Sequence, residues 1–291
     1  MADGWIILDK PSGITSRAAG TRVARMFGAR TFGHVGTLDP MASGVLPIAI
    51  GAATRMIPFV EDARPSIKEY LFSVQFGTET DTLDITGAQT VRTDIIPTTD
   101  AVINALGQFI GDTEQTPPMY SAVHIDGRRA YELARRGMAA QMPARRVHID
   151  VLKLISCNDN LWTFCVRCGR GTYIRALARD IAAACGTVAT VSMIRRTETI
   201  GYDVKNAVKL DFLENLVNNG ADFSKYLEPT DFGLGDIPVL NLDDKSAKLY
   251  KNGGFIATNR ANGLQRVYSD SKFIGIGIIC DNVLRPKRTI K

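Results

Sequence analysis

GHVGTLDPMASGVLP, Gly33–Pro47, is the stretch from which the rest of the chain can be laid out. A glycine-bounded loop stiffened by Pro40 carries Asp39 and runs into the apolar Val45–Ile50, which reads as a buried strand. Proline fixes its own φ and pushes the preceding residue out of the helical region, so Asp39 is expected extended just before that strand. Such an aspartate has two readings. It can bond its own backbone as a turn residue, or stand as an aimed carboxylate able to act as nucleophile or base.

On the N-terminal side, WIILDKPSGITS gives a short strand, Trp5–Leu8, a turn through Pro11 and Gly13, and a helix capped at Thr15 or Ser16. Ala19, Val23, Met26 and Phe27 share one face of that helix, Arg17, Arg22 and Arg25 group on the other, and Gly28 closes it. On the C-terminal side, KEYLFSVQF (Lys68–Phe76) alternates, with Tyr70, Phe72, Val74 and Phe76 on one face. TETDTLDITG follows as a polar loop whose Asp81 and Asp84 read as solvated. A short helix begins at Pro97, with Val102, Leu106 and Phe109 along one side. A basic helix runs from Arg128 to Gly137, and strands are expected at Val147–Ser156 and Leu161–Cys168.

GRGTYIRALARDIAAACG reads as a turn entering a helix with a buried stripe of Ile174, Leu177 and Ile181. Arg175 and Arg179 are i,i+4 neighbours on another face. A strand-like MIRRTETIGYDV and a short helix in KLDFLENLVNNG follow. Past Leu227–Asp231 the composition shifts to short strand candidates (PVLNL, GFIATN, LQRVYSD, KFIGIGIIC) and a basic tail, RPKRTIK. Strands interspersed with helices, without strict alternation, give an α+β fold with a mixed or antiparallel sheet. The domains divide as 1–228 and 229–291. The second, a small β-rich module, is too short for an independent core and is expected to pack on the first.

The 291 residues are 45% hydrophobic and 22% charged, the balance of a folded chain with a real core. No apolar run approaches the ~18 residues of a membrane span. MADGWIILDKPSG lacks the pattern of a secretory leader. Five cysteines form an odd set without framework spacing, which points to a reducing cytoplasm. Net charge is +5, but Ile125–Ile200 holds 13 Lys/Arg against 6 Asp/Glu, leaving 22 against 24 elsewhere. A basic middle on a near-neutral chain is either a polyanion-binding surface or a solvated face.

Several chemistries are excluded. No phosphate-binding loop, nucleophile elbow or H-E-x-x-H occurs, and the glycine pattern in KFIGIG does not enter a helix. Cys165 and Cys168 form one C-x-x-C, but three residues apart on a strand they point to opposite faces and no second ligand pair exists. No metal and no cofactor are expected. What remains is Asp39, a counter-charge in Arg175 able to pair with it, and Tyr70, which is either core or a stacking platform for a nucleobase.

Five stretches, in order, resemble the bacterial tRNA pseudouridine synthases of the TruB type. They are LDKPSGITS (Leu8 to Ser16), GHVGTLDPMASGVLPIAIGAATR (Gly33 to Arg55), KEYLFSVQFGTETDTLDITG (Lys68 to Gly87), QTPPMYSAVHIDGRRAYELARRG (Gln115 to Gly137) and CGRGTYIRALARD (Cys168 to Asp180). The resemblance implies a pseudouridine synthase catalytic domain followed by a shortened PUA-like RNA-binding module. It implies Asp39 as the nucleophilic aspartate, Arg175 as its partner and Tyr70 as the tyrosine stacked on the uracil. His34 would fill the stack left by a flipped nucleotide. Tyr173, Ile194, Lys10 and Arg55 are carried over as substrate-binding positions. The chain departs from the family at His124, where lysine is common, and at Ile194-Arg195-Arg196, where the family has leucine before the two arginines.

The implied reaction is isomerisation of one uridine in the TΨC stem-loop of tRNA (position 55 in this family) by a cytoplasmic, monomeric enzyme. Asp39 would either attack C1′ or take a proton from C2′. A non-catalytic RNA-binding protein and a glycosyl hydrolase are the other classes that Asp39 and the basic surface allow. The hydrolase would need a second motif-linked carboxylate, and none is read here.

Overall fold

The alternation of Lys68–Phe76 is realised residue for residue as a strand: Tyr70, Phe72, Val74 and Phe76 are all buried. It pairs antiparallel with Leu161–Cys168 on one side and Ala189–Thr199 on the other. Phe72 stacks on Phe164 of the neighbouring strand, their centroids 5.2 Å apart. Burial of each such ring is worth about 1.5–3 kcal/mol. The computed structural model describes residues 2–63, 67–125, 127–138 and 141–290. Met1, Asp126 of the fourth motif and Lys291 of the basic tail lie outside the described residues.

Among the described residues, ten strands form one mixed sheet, which gives the expected α+β class. Its main path runs Val208–Lys209, Gly4–Lys10, Ser43–Ile50, Ala189–Thr199, Lys68–Phe76, Leu161–Cys168, Arg145–Asn158, Gly111–Gln115. Two neighbouring pairs are parallel: Gly4–Lys10 with Val208–Lys209, and Ser43–Ile50 with Ala189–Thr199. The second is short. Only Ser43 and Gly44 meet Arg195 and Arg196, while farther along the same strand Ile48–Ile50 pairs with Phe32–His34. The segment between His34 and Ser43, which carries Asp39, therefore sits where two strands compete for one edge.

The helix Ser16–Met26 is capped by Thr15, whose Oγ1 accepts from the Ala18 N–H at 3.0 Å. Ala19 and Val23 are buried, and Arg17, Arg22 and Arg25 are exposed. The basic helix after Arg128 is shorter than expected, Ala130–Arg135. No helix among the described residues is long and apolar enough to cross a membrane.

The C-terminal strands form a separate five-stranded sheet. Two features differ from the sequence reading. Asp244–Lys251 is a helix capped by Asp243, burying Ala247 and Tyr250 against Leu240, Val267, Ile279 and Leu284. The basic tail is mostly strand, Val283–Thr289, where it pairs with Lys272–Cys280. This module packs on the first part as expected: Leu234, Ile237 and Ile276 share one apolar cluster with Trp5, Val45, Ala53 and Met56. Trp5 and Glu228 exchange both backbone hydrogen bonds, and the Trp5 indole donates to the Thr230 carbonyl at 3.0 Å.

Candidate active site

The loop bearing Asp39 is held from two sides. From the N-terminal motif, the buried Ser16 hydroxyl accepts from the Leu38 N–H (2.9 Å) and donates to the Leu38 carbonyl (3.0 Å). The Gly13 N–H donates to the Pro40 carbonyl at 2.8 Å, and the Ser12 hydroxyl to the Met41 carbonyl at 2.7 Å. From the sheet, the Arg196 guanidinium donates to the Val45 carbonyl (2.7 Å) and the Gly36 carbonyl (2.9 Å), one on each side of Asp39 in sequence. Arg196 is wholly buried and no carboxylate pairs with it among the described residues. Close packing on it explains two glycines. A Cβ at Gly36 (φ +68) would lie 2.9 Å from Arg196 Nη1, and one at Gly44 (φ +105) only 2.1 Å from the Arg196 carbonyl oxygen.

Arg175 reaches the loop from the first turn of Ile174–Ala184. Its Nε and Nη2 both lie 2.8 Å from Asp39 Oδ2, so the contact is two donors on one oxygen. Oδ1 takes no hydrogen bond among the described residues. The remaining donors of Arg175 go to the Thr82 carbonyl (2.7 Å) and the Tyr120 carbonyl (2.9 Å), and its Nη1 is 3.6 Å from Asp84 Oδ2. Arg175 is 4% exposed, so the counter-charge read for Asp39 is a buried one. Asp84 is also buried, not solvated. Its Oδ1 accepts from the Thr82 hydroxyl and the Thr86 N–H, each at 2.9 Å.

Asp39, Tyr70, Tyr173, Ile194 and Lys68 line one cavity of about 230 Å³. That lies below the roughly 300–1,000 Å³ of drug-sized sites, and suits a single flat ring. Tyr70 is both core and wall: 7% exposed, packed in the main cluster and facing Arg196 across the strand pair. Burial pushes its phenol up, against the pull of Arg196, so it remains a protonated donor at neutral pH. Ile194 is buried on the same strand as Arg196. Tyr173 is fixed by Gln115, whose side-chain amide accepts from the Tyr173 N–H (2.8 Å) and donates to its carbonyl (3.2 Å). The Arg145 guanidinium stands over the Tyr173 ring, 5.1 Å from its centroid.

Three residues carried over as substrate-binding positions do not line this cavity. Lys10 is fully enclosed, and its Nζ donates to the carbonyls of Pro11 (2.8 Å), Ile14 (2.7 Å) and, more weakly, Pro40 (3.5 Å). That makes it a brace for the loop, not a group presented to substrate. Burial lowers its pKa to about 8, opposed by Asp39. Arg55 is exposed and donates to the Thr289 carbonyl at 3.0 Å, tying the C-terminal strand to the first domain. His34 is half-buried at the end of Phe32–His34 and does not line the cavity. Burial, then Arg196, lowers its pKa, which keeps the imidazole neutral at neutral pH.

From the sequence, no site role fell to Lys68, Arg196, Gln115 or Ser16. For Lys68 a signal existed: two residues before Tyr70 on an alternating strand, it shares the Tyr70 face. Asp84 was noticed but assigned from its polar surroundings alone.

Residues 24–174 match the family description "TruB family pseudouridylate synthase (N terminal domain)", and residues 238–290 match "Pseudouridine synthase II TruB, C-terminal". The chain is similar to "tRNA pseudouridine synthase B" of Caulobacter vibrioides, with 45% identity over 84% of this chain and 78% of that protein. It is also similar to the protein of the same name from Gluconacetobacter diazotrophicus, with 39% identity over 99% and 97%. Among solved structures, a chain in "Structure of H/ACA RNP bound to a substrate RNA containing 2'-deoxyuridine" shares the fold, with TM-score 0.67 at 21% identity over 99% of this chain and 85% of that one.

Proposed function

The chain belongs to the TruB family of tRNA pseudouridine synthases, which isomerise uridine to pseudouridine in tRNA, and from that premise we propose that its target is the uridine of the TΨC loop, position 55 in this family, flipped into the Asp39 cavity. The observation that carries this reading is the asymmetry of Asp39. Arg175 holds Oδ2 twice, while Oδ1 is unengaged among the described residues and Asp39 lines a cavity whose walls include the rings of Tyr70 and Tyr173 and the apolar Ile194. A carboxylate so fixed presents one oxygen to a sugar carbon. Both possible first steps, attack at C1′ or removal of the C2′ proton, use that oxygen.

A uridine stacked in a loop hides C1′ and N1, so the nucleotide has to leave the stack. Tyr70 supplies a ring beside the flipped base and Ile194 an apolar contact, while His34, neutral and half-buried, stands outside the cavity for the vacated stack. Residues 1–228 would carry the chemistry and 229–291 would add RNA contacts. The enzyme would act in the cytoplasm as a monomer. Product and substrate are isomers, so the reaction consumes no oxidant and no energy donor.

The test is pseudouridine mapping in tRNA treated with wild type and with Asp39→Asn. Wild type should modify the TΨC loop uridine. Asp39→Asn should bind the same RNA and form no pseudouridine. Wild-type turnover by that variant would remove Asp39 from the mechanism, and modification only at another site would remove the TΨC assignment.

A further inference from the structure

The charges around the cavity do not balance. Arg175 faces two carboxylates, Asp39 and Asp84. Arg196 and Lys68 form no ion pair among the described residues: Glu61, the carboxylate whose charge acts on Lys68, is paired with Arg170 at 3.2 Å. Arg196 is sealed from solvent and from any ligand, with 0% exposed. Lys68 is not. It lines the cavity on the same strand face as Tyr70, and no hydrogen bond engages its Nζ among the described residues. It lies against the loop at Gly36, three residues before Asp39: a Cβ there would be 3.5 Å from Lys68 Cε and 3.6 Å from Nζ.

We propose that Lys68 is a further catalytic residue, whose ammonium donates to a carbonyl oxygen of the uracil and stabilises the negative charge the ring carries while it is detached. The inference rests on the isomerase reading above. In that reaction the C1′–N1 bond breaks and its electron pair leaves with N1, so the free ring holds one negative charge shared with its carbonyl oxygens. The charge persists until C5 forms the new bond to C1′. The C5 proton is then lost and N1 ends protonated, so no atom is gained or lost overall. Whichever first step Asp39 takes, the ring departs as an anion. A fixed cation without a counter-ion, in a partly desolvated wall, is then worth far more to the transition state than to the neutral ground state.

The surroundings make this ammonium responsive to pH. Burial lowers its pKa to about 8, and Arg196 from Ala189–Thr199 and Arg170 from the turn after Leu161–Cys168 act in the same direction. Cys168 on the adjoining strand and Glu61 on Ile57–Ala63 oppose them. Activity that depends on the protonated form should therefore fall as pH rises through about 8.

The experiment uses a TΨC stem-loop RNA under single-turnover conditions, with Lys68→Met and Lys68→Arg beside wild type, and RNA affinity measured separately in an Asp39→Asn background. Lys68→Met should lose about 10²–10³ in rate, the scale for one preorganised donor, with affinity unchanged. Lys68→Arg should recover part of the rate and lose the alkaline fall near pH 8, because arginine does not titrate there. Full activity in Lys68→Met overturns the proposal. So does a loss confined to affinity with a shallower salt dependence, which would make Lys68 a phosphate contact. If Lys68→Met does not fold, Lys68→Arg decides: an unchanged alkaline limb overturns the role. Failure of wild type to form pseudouridine overturns the isomerase reading instead, so the two outcomes are distinguishable.

Discussion

Arg175 grips Asp39 through a single oxygen, with Nε and Nη2 both 2.8 Å from Oδ2. The same guanidinium stands 3.6 Å from Asp84, so one buried cation serves two carboxylates. Removing it strands both. Breaking a buried pair by deleting one partner costs about 3–5 kcal/mol, much of it the penalty of the charge left behind. For Arg175→Ala we expect a stability loss of that order in urea unfolding and a large fall in kcat. Arg175→Lys should keep more of the stability than of the rate, because a lysine point charge cannot reproduce the fork that orients Oδ2. An effect confined to KM in both variants would argue against the pairing as a catalytic device.

Asp84 gives a milder version of the same test. Asp84→Ala leaves Arg175 bonded to Asp39, Thr82 and Tyr120 but removes its second anion and the acceptor for Thr82 and Thr86. Misplacement of a catalytic group by about 1 Å can cost ~10² in rate. We expect a kcat loss up to that size with RNA affinity little changed. Unaltered kcat would show that the two main-chain carbonyls suffice to hold Arg175.

Gly13 and Gly44 both have positive φ, +91 and +105, but differ in space. An added Cβ at Gly13 meets nothing within 4 Å, whereas at Gly44 it meets the Arg196 backbone. Gly13→Ala should cost only the backbone strain, about 1–3 kcal/mol. Gly44→Ala should add the penalty of pushing apart the short Ser43–Gly44 pairing with Arg195–Arg196, about 1–3 kcal/mol more. It should also reduce turnover by moving the Asp39 loop. Comparing the two unfolding midpoints, with turnover on the stem-loop, separates strain from displacement; equal costs would discard the packing argument.

Local patterns carried much of this architecture. Lys68–Phe76 was legible because period-two alternation and one-sided burial coincide, and Ser16–Met26 because Thr15 caps an amphipathic run. Partnerships across the sequence were less legible. Arg175 and Asp39 are 136 residues apart, and their pairing was readable as complementary charge and through the resemblance, not from any local spacing. Asp84 looked solvated in TETDTLDITG because its burial comes from a bridge to Val191 and from Arg175, both distant in sequence. The resemblance named Lys10 without its environment, and only the fold reveals an ammonium enclosed by loop carbonyls. The helix Asp244–Lys251 was hidden by its polarity, since burial of Ala247 and Tyr250 is all that marks its inner face.

Lys10 leaves a thermodynamic signature. Its folded pKa, about 8, lies below the ordinary 10.5. Between those values the unfolded chain binds more protons, so stability rises with pH across that window, and the penalty is fully present below it. Lys68 has the same sign, so wild type alone cannot isolate Lys10. The informative quantity is the stability of wild type relative to Lys10→Met, which should increase from pH 8 to pH 10 in denaturant titrations. A constant difference would mean that Lys10 is charged throughout and that its carbonyl contacts alone matter.

The exposed arginines of Ser16–Met26 address RNA affinity. Arg17 and Arg25 have no ion pair among the described residues, and Arg22 is 3.5 Å from Glu214 in a pair open to solvent. The helix starts at Ser16, whose hydroxyl holds Leu38 next to Asp39, so this basic face leads away from the active-site loop. Each phosphate neutralised contributes about 0.7–0.9 to the slope of log affinity against log salt. Wild-type binding to tRNA should therefore weaken steeply with salt, and the Arg17→Ala, Arg25→Ala double variant should lower that slope by about 1.5 without changing the rate constant at saturation. Arg22→Ala should do less, because its partner Glu214 already screens it. A double variant with wild-type slope would assign the backbone contacts to the basic segment between Ile125 and Ile200 instead.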